Sequence, residues 1–273
     1  MKHLRTFESL NQPLHPQLTK EQRDWMKTCV KTGSWSYDAR SGLVDVYGDF
    51  VCSGQELEDF KGIRFGRIVG QFVCADNKLT SLDGAPNSVE MGFSCADNKL
   101  KSLEGGPKKV GKNYYCFNNQ LTSLEGAPEQ VYGNFECDRN QLTTLKGGPE
   151  FVRESMSCEG NQLTSLIGAP KSIGKNLHCT GNQLTSVEGF PKYLEGNFYA
   201  YSNPVSSNTL KTISEQIRYN PSKTYSQIIE TIWEFIPQND KIYVYDPSFS
   251  WLDPEEHKKY SALKRIEKTK GLI

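Results

Sequence analysis

The chain has 273 residues and balances 32 basic against 32 acidic side chains. No strong net field therefore advertises nucleic acid or an anionic membrane as a partner. No apolar run approaches the ~20 residues that span a bilayer, and the opening MKHLRTFESLNQPLHPQ is charged and lacks an apolar h-region. A cytoplasmic, reducing setting is therefore expected for the eight cysteines.

Residues 1–17 are expected to form a flexible tail. LTKEQRDWMKTCV, from Leu18, then reads as an amphipathic helix. Thr19 and Gln22 make a capping box, and Trp25, Met26, Cys29 and Val30 line one side. With the lead-in that follows, it makes an N-terminal cap over 18–49.

Beyond it the text repeats. Cys52, Cys74, Cys95, Cys116, Cys137, Cys158 and Cys179 are separated first by 22 residues and then always by 21. FVCADNKLTSLDGAPNSVEMG begins at Phe72, and six complete units run without insertion. In F-x-C the aromatic and the cysteine lie two apart and share one side of a strand. The asparagine that follows must be satisfied by backbone of its own and the next turn. L-T-S-L returns two leucines to the interior, Gly-x-Pro turns the chain, and a branched residue (Val89, Val110, Val131, Val152, Ile173, Leu194) fills the last interior place. One unit cannot bury its own apolar side, so the units must stack, with their strands in a parallel sheet. Eight rungs at about 4.8 Å make a sheet roughly 34 Å across.

F-x-C-x-x-N-x-L resembles the leucine-rich-repeat signature L-x-L-x-x-N-x-L, over residues 50–203. The resemblance implies an α+β repeat solenoid with a parallel sheet on its concave face. At this repeat length the return segment should be extended or turn-like. The end units depart from the pattern, as terminal repeats do where a core is sealed: Gln55 replaces the asparagine, and Ala200 and Val205 replace cysteine and leucine. The opening peptide, the helix, GLVDVYGDFVCSG and LTSLEGAP-type repeats together resemble tailed-bacteriophage leucine-rich-repeat proteins. Openings like MKHLRTFESL sometimes serve those proteins as capsid-targeting peptides.

After Pro204 the pattern turns helical: NTLKTISEQIRYN, SKTYSQIIETIWEFI, an extended KIYVYD, and a last helix capped by Asp253 and Pro254. Residues 204–273 are expected to form a mostly helical C-terminal cap.

The cysteines read as a buried ladder of small apolar residues. There is no C-x-x-C, and side chains on parallel rungs point the same way instead of converging on an ion. No metal or cofactor is expected. Of His3, His15, His178 and His257, only His178 lies in a repeat, and no serine or cysteine is expected beside it as a nucleophile. A bacterial ubiquitin-ligase reading would need a cysteine in a large C-terminal domain, and none follows Cys179. The chain is therefore expected not to be an enzyme.

The positive candidate is the outward face of the strands, where side chains vary while the core repeats. Val73, Ala75, Ser94 and Ala96 make its first rungs small. Tyr115, Phe117, Glu136, Asp138, Glu159, His178, Tyr199 and Tyr201 follow. Aromatics beside carboxylates resemble a protein-binding hot spot, and the lone Arg139 is too little for a nucleic-acid track. The expected function is a monomeric, non-catalytic module that binds a host or viral protein. The rival is a virion or capsid component carried by the N-terminal peptide.

Overall fold

The computed structural model describes residues 14–220, 227–228 and 236–237. The expected features of MKHLRTFESL, and the segments KIYVYD and DPEEHKKYSALKRIEK, lie outside the described residues, as does nearly all of SKTYSQIIETIWEFI.

The fold is an α+β repeat solenoid, but each turn contributes to two sheets where one was expected. The F-x-C segments form an eight-stranded parallel sheet, from Phe50–Val51 at one end to Phe198–Tyr199 at the other. The branched position of each turn belongs to a second, nine-stranded sheet. It begins with the antiparallel hairpin Trp35–Asp38/Leu43–Val46, continues through Arg64–Ile68, and ends at Tyr193–Leu194. The return segment is thus extended, as the repeat length requires, and it pairs with its own counterparts.

The first turn carries one residue more than the others. Leu43–Val46 pairs with Arg64–Ile68 as Val44↔Phe65 and then Val46↔Ile68, so the extra residue is a bulge in the second sheet. Phe50 still pairs directly with Phe72 in the first sheet.

Between the sheets lies a continuous core. Phe50, Phe72, Phe93, Tyr114 and Phe135 stack with centroids 5.0, 5.9, 5.0 and 5.6 Å apart. All eight cysteines are free and buried. The asparagines bond in both directions, but their outside partner is the preceding turn, not the following one. Asn98 Nδ2 donates to the carbonyls of Cys74 and Cys95 at 3.0 and 3.2 Å, while its Oδ1 accepts from Leu79 N–H at 2.9 Å. A second polar ladder runs along the corner between the sheets: Asn113 Oδ1 accepts from Asn134 N–H, and Asn134 Oδ1 from Ser155 N–H.

Two left-handed corners shape each turn. One is the Gly-x-Pro glycine: Gly126 has φ +97° and a Cβ there would lie 2.2 Å from the Leu103 carbonyl carbon, so no other residue fits. The other precedes the ladder asparagine. It is taken by Asp76, Asp97 and Asn118, then Arg139, then Gly160 and Gly181, and finally Ser202.

Helix α1 (Lys20–Cys29) has the expected capping box and closes the first turn. Trp25 packs edge-on against Phe50 at 5.4 Å, and its Nε1 donates to Gln55 Oε1. Helix α2 (Ser207–Tyr219) closes the other end with Leu210 and Ile213, both buried. Among the described residues no helix is long and apolar enough to cross a membrane.

Candidate interaction face

The register of the first sheet lays the candidate residues out in two straight rows. Tyr115, Glu136, Ser157, His178 and Tyr199 are successive Cα partners along one row. Phe117, Asp138, Glu159, Thr180 and Tyr201 make the other, two residues further on in each turn. The backbone carries this row too: Asn118, Arg139, Gly160 and Gly181 N–H groups donate to the carbonyls of Asp138, Glu159, Thr180 and Tyr201. All eight candidates lie on this outer face. Tyr201 is exposed at 59 %, and the others are half-buried by one another. Ala96 departs from its expected exposure: it is buried, yet it belongs to no part of the core between the sheets.

The structure does not gather these eight side chains into one cavity. Phe117, Glu136, Asp138 and Glu159 line a depression of about 410 Å³, together with Arg139, Gly160 and Thr180. Tyr199 and Tyr201 lie at the far end, where they line a groove of about 500 Å³ against Lys211, Ser214, Glu215 and Arg218 of α2. Residues of α2 were not foreseen at this face, because their proximity depends on how the helix folds back beneath the last turn. His178 joins the two regions. Its ring stacks on Tyr199 at 4.7 Å, and its Nδ1 lies 3.8 Å from Glu159 Oε1.

Asp138 is the best-held polar group. Its Oδ1 accepts from Ser157 Oγ at 2.5 Å and from Glu159 N–H at 2.6 Å. Burial nevertheless pushes its carboxyl above the usual range; those two hydrogen bonds oppose the shift, and nearby Glu159 adds to it. Burial also raises Glu136, with Asp138 adding to the effect. Tyr115 is raised by burial and then by Glu136. Neither Glu136 nor Asp138 forms an ion pair among the described residues.

The register places Ser157 directly opposite His178 on the adjacent strand. Ser157 gives its hydrogen to Asp138, so this arrangement does not present a serine whose proton the imidazole receives.

No protein-family model matches the chain, and no curated protein matches it significantly.

A larger hollow, of about 610 Å³, lies on the second sheet among Arg67, Glu90, Lys108, Lys109, Glu129 and Tyr132. Several of its side chains already have partners. Arg67 pairs with Glu90, Lys108 Nζ donates to Gly126 O at 2.9 Å, and Tyr132 bonds Gln130 and packs near Phe151. On the first sheet the Glu136 carboxylate has neither an ion pair nor a hydrogen-bond donor among the described residues, and Asp138 has no ion pair. That difference, rather than volume, makes the first sheet the better candidate.

Proposed function

We propose that this chain is a non-catalytic recognition module that binds a protein through the outer face of its first sheet. The observation that carries the reading is the pair of register-aligned rows, in which aromatic side chains bracket an acidic centre. Tyr115 and Phe117 stand at one end (ring centroids 6.2 Å apart), Tyr199 and Tyr201 at the other (6.5 Å apart). Aromatic anchors held on a rigid sheet lose little side-chain freedom on binding and supply the large apolar contact that dominates interface energetics.

The repeat signature supports membership of the leucine-rich-repeat class, and the combination of opening peptide and repeats supports a phage-encoded protein acting as a monomer in the bacterial cytoplasm. Nucleic acid and membrane are not the proposed partners, because the face carries carboxylates and no basic track.

The test is a pulldown from bacterial lysate with the native chain and with a variant changed to alanine at Tyr115, Phe117, Tyr199 and Tyr201. Specific partners should be lost with the variant while its circular dichroism and melting stay native. Equal recovery of the same partners would place binding elsewhere.

A further inference from the structure

We infer that the partner of this face presents a basic side chain, an arginine by preference, that enters the depression between Phe117 and the carboxylates of Glu136, Asp138 and Glu159. The inference rests on the reading just given and specifies the chemistry of its partner.

The first argument is charge complementarity. The depression is lined by three carboxylates against one guanidinium, that of Arg139. Arg139 forms no ion pair among the described residues, so it does not neutralise the wall it lines. Some acidic side chains elsewhere on the solenoid are matched across turns: Glu150 by Lys171 at 2.8 Å, Glu154 by Lys175, and Glu90 by Arg67. Among the described residues Glu136 and Asp138 have no such partner, and unlike most of the other unpaired acidic side chains, which are exposed, they are half-buried. Both sit among half-buried neighbours, where an uncompensated charge is costly and an incoming cation is correspondingly well received.

The second argument is shape and hydrogen-bonding capacity. The volume, about 410 Å³, falls within the roughly 300–1,000 Å³ of cavities that take ligands. Asp138 Oδ1 is occupied by Ser157 and Glu159, but no donor among the described residues serves Asp138 Oδ2 or the Glu136 carboxylate. Phe117 supplies a ring at the edge of the same depression. A guanidinium matches this set better than an ammonium: it can stack on an aromatic face while its planar fork meets carboxylates. A bare metal ion is a poorer match, because among the described residues no three His, Cys, Asp or Glu side chains are placed to hold one. The flanking aromatic pairs then cover the backbone on either side of the inserted residue.

The experiment is a fluorescence-anisotropy titration of the full chain with two fluorescein-labelled peptides of alternating serine and arginine or serine and citrulline. Citrulline keeps the shape and removes the charge. The arginine peptide should bind at least about tenfold more tightly, and the advantage should shrink as salt rises. The Glu136→Gln, Asp138→Asn, Glu159→Gln variant should lose that advantage while keeping the native circular-dichroism spectrum. Equal binding of the two peptides, or an advantage untouched by the triple variant, overturns the inference. If the aromatic variant loses its partners in pulldown while the triple variant keeps them, the face reading survives and the basic-residue inference falls. If the peptides discriminate but the aromatic variant keeps every partner, the face reading fails instead.

Discussion

Leu100 donates its amide hydrogen to Asn119 Oδ1, 2.9 Å away in the following turn. Asn119 Nδ2 meanwhile donates to the carbonyls of Cys95 and Cys116 at 3.0 and 3.2 Å. One buried amide therefore satisfies backbone on two turns that no water can reach. Asn119→Ala leaves several of those groups without partners and should cost about 3 kcal/mol in urea unfolding. Asn203, at the half-buried last corner, should cost less, about 1 kcal/mol, when changed in the same way. Equal losses at the two positions would mean that burial does not set the value of the amide.

Tyr114 is the one ring of the core stack that carries a hydroxyl. Among the described residues that hydroxyl is buried without a hydrogen-bond partner. Tyr114→Phe keeps the ring and removes an unsatisfied polar atom, so it should stabilise the chain by about 1 kcal/mol. A lower melting temperature would show that the hydroxyl is satisfied in solution.

Arg139 occupies a left-handed corner at φ +50°, where Gly160 and Gly181 serve the next two turns. Arg139→Gly should relieve strain and raise stability by about 1 kcal/mol. Gly181→Arg should lower it by about the same amount. Chemical denaturation of the two variants checks both signs.

Acid and base should act on the face in a definite direction. Glu136 and Asp138 have folded pKa values raised above their ordinary 4.5 and 3.8, so the folded state holds their protons more tightly than the unfolded one. Their contribution to stability is present below the ordinary values and is lost as pH rises through the raised ones. Glu136→Gln should therefore raise the urea midpoint at neutral pH and leave it unchanged at about pH 3. A gain of the same size at both pH values would show that the effect is not titration.

The thiols give an independent readout of global unfolding. Every cysteine is buried, and burial pushes Cys74, Cys95, Cys137 and Cys179 far toward the unreactive thiol form. Reaction with a disulfide reagent should follow the urea transition measured by circular dichroism. Rapid labelling of the native chain would contradict a closed core.

What the sequence discloses follows from where each property resides. The repeat interval fixes the register, so Phe72 beside Phe93 and the row from Tyr115 to Tyr199 could be placed from text alone. The cap of α1 could be placed as well, because Thr19 and Gln22 are local. The second sheet was harder to see. Within the repeats after Arg64–Ile68 its strands are two residues long, and Ser88–Val89 or Lys109–Val110 show no alternation to mark them. The left-handed corner before each asparagine was visible in principle, as a column of Asp, Asn and Gly, but Arg139 and Ser202 blur it. At the candidate site, the facing of each side chain came from strand parity. The hydrogen bond from Ser157 to Asp138, and the approach of Lys211 and Arg218 to Tyr199, are contacts across turns and between elements, which linear text does not display.

The bulge at Arg64–Ile68 has a consequence for how such a molecule can change. The twenty-second residue of the first turn is absorbed entirely on one wall, and Phe50 and Phe72 on the other wall remain partners. The two sheets thus divide labour between tolerance and alignment. Insertions that enter through the second sheet can be accommodated locally, while the two rows of outward side chains on the first stay straight and can be rewritten one turn at a time.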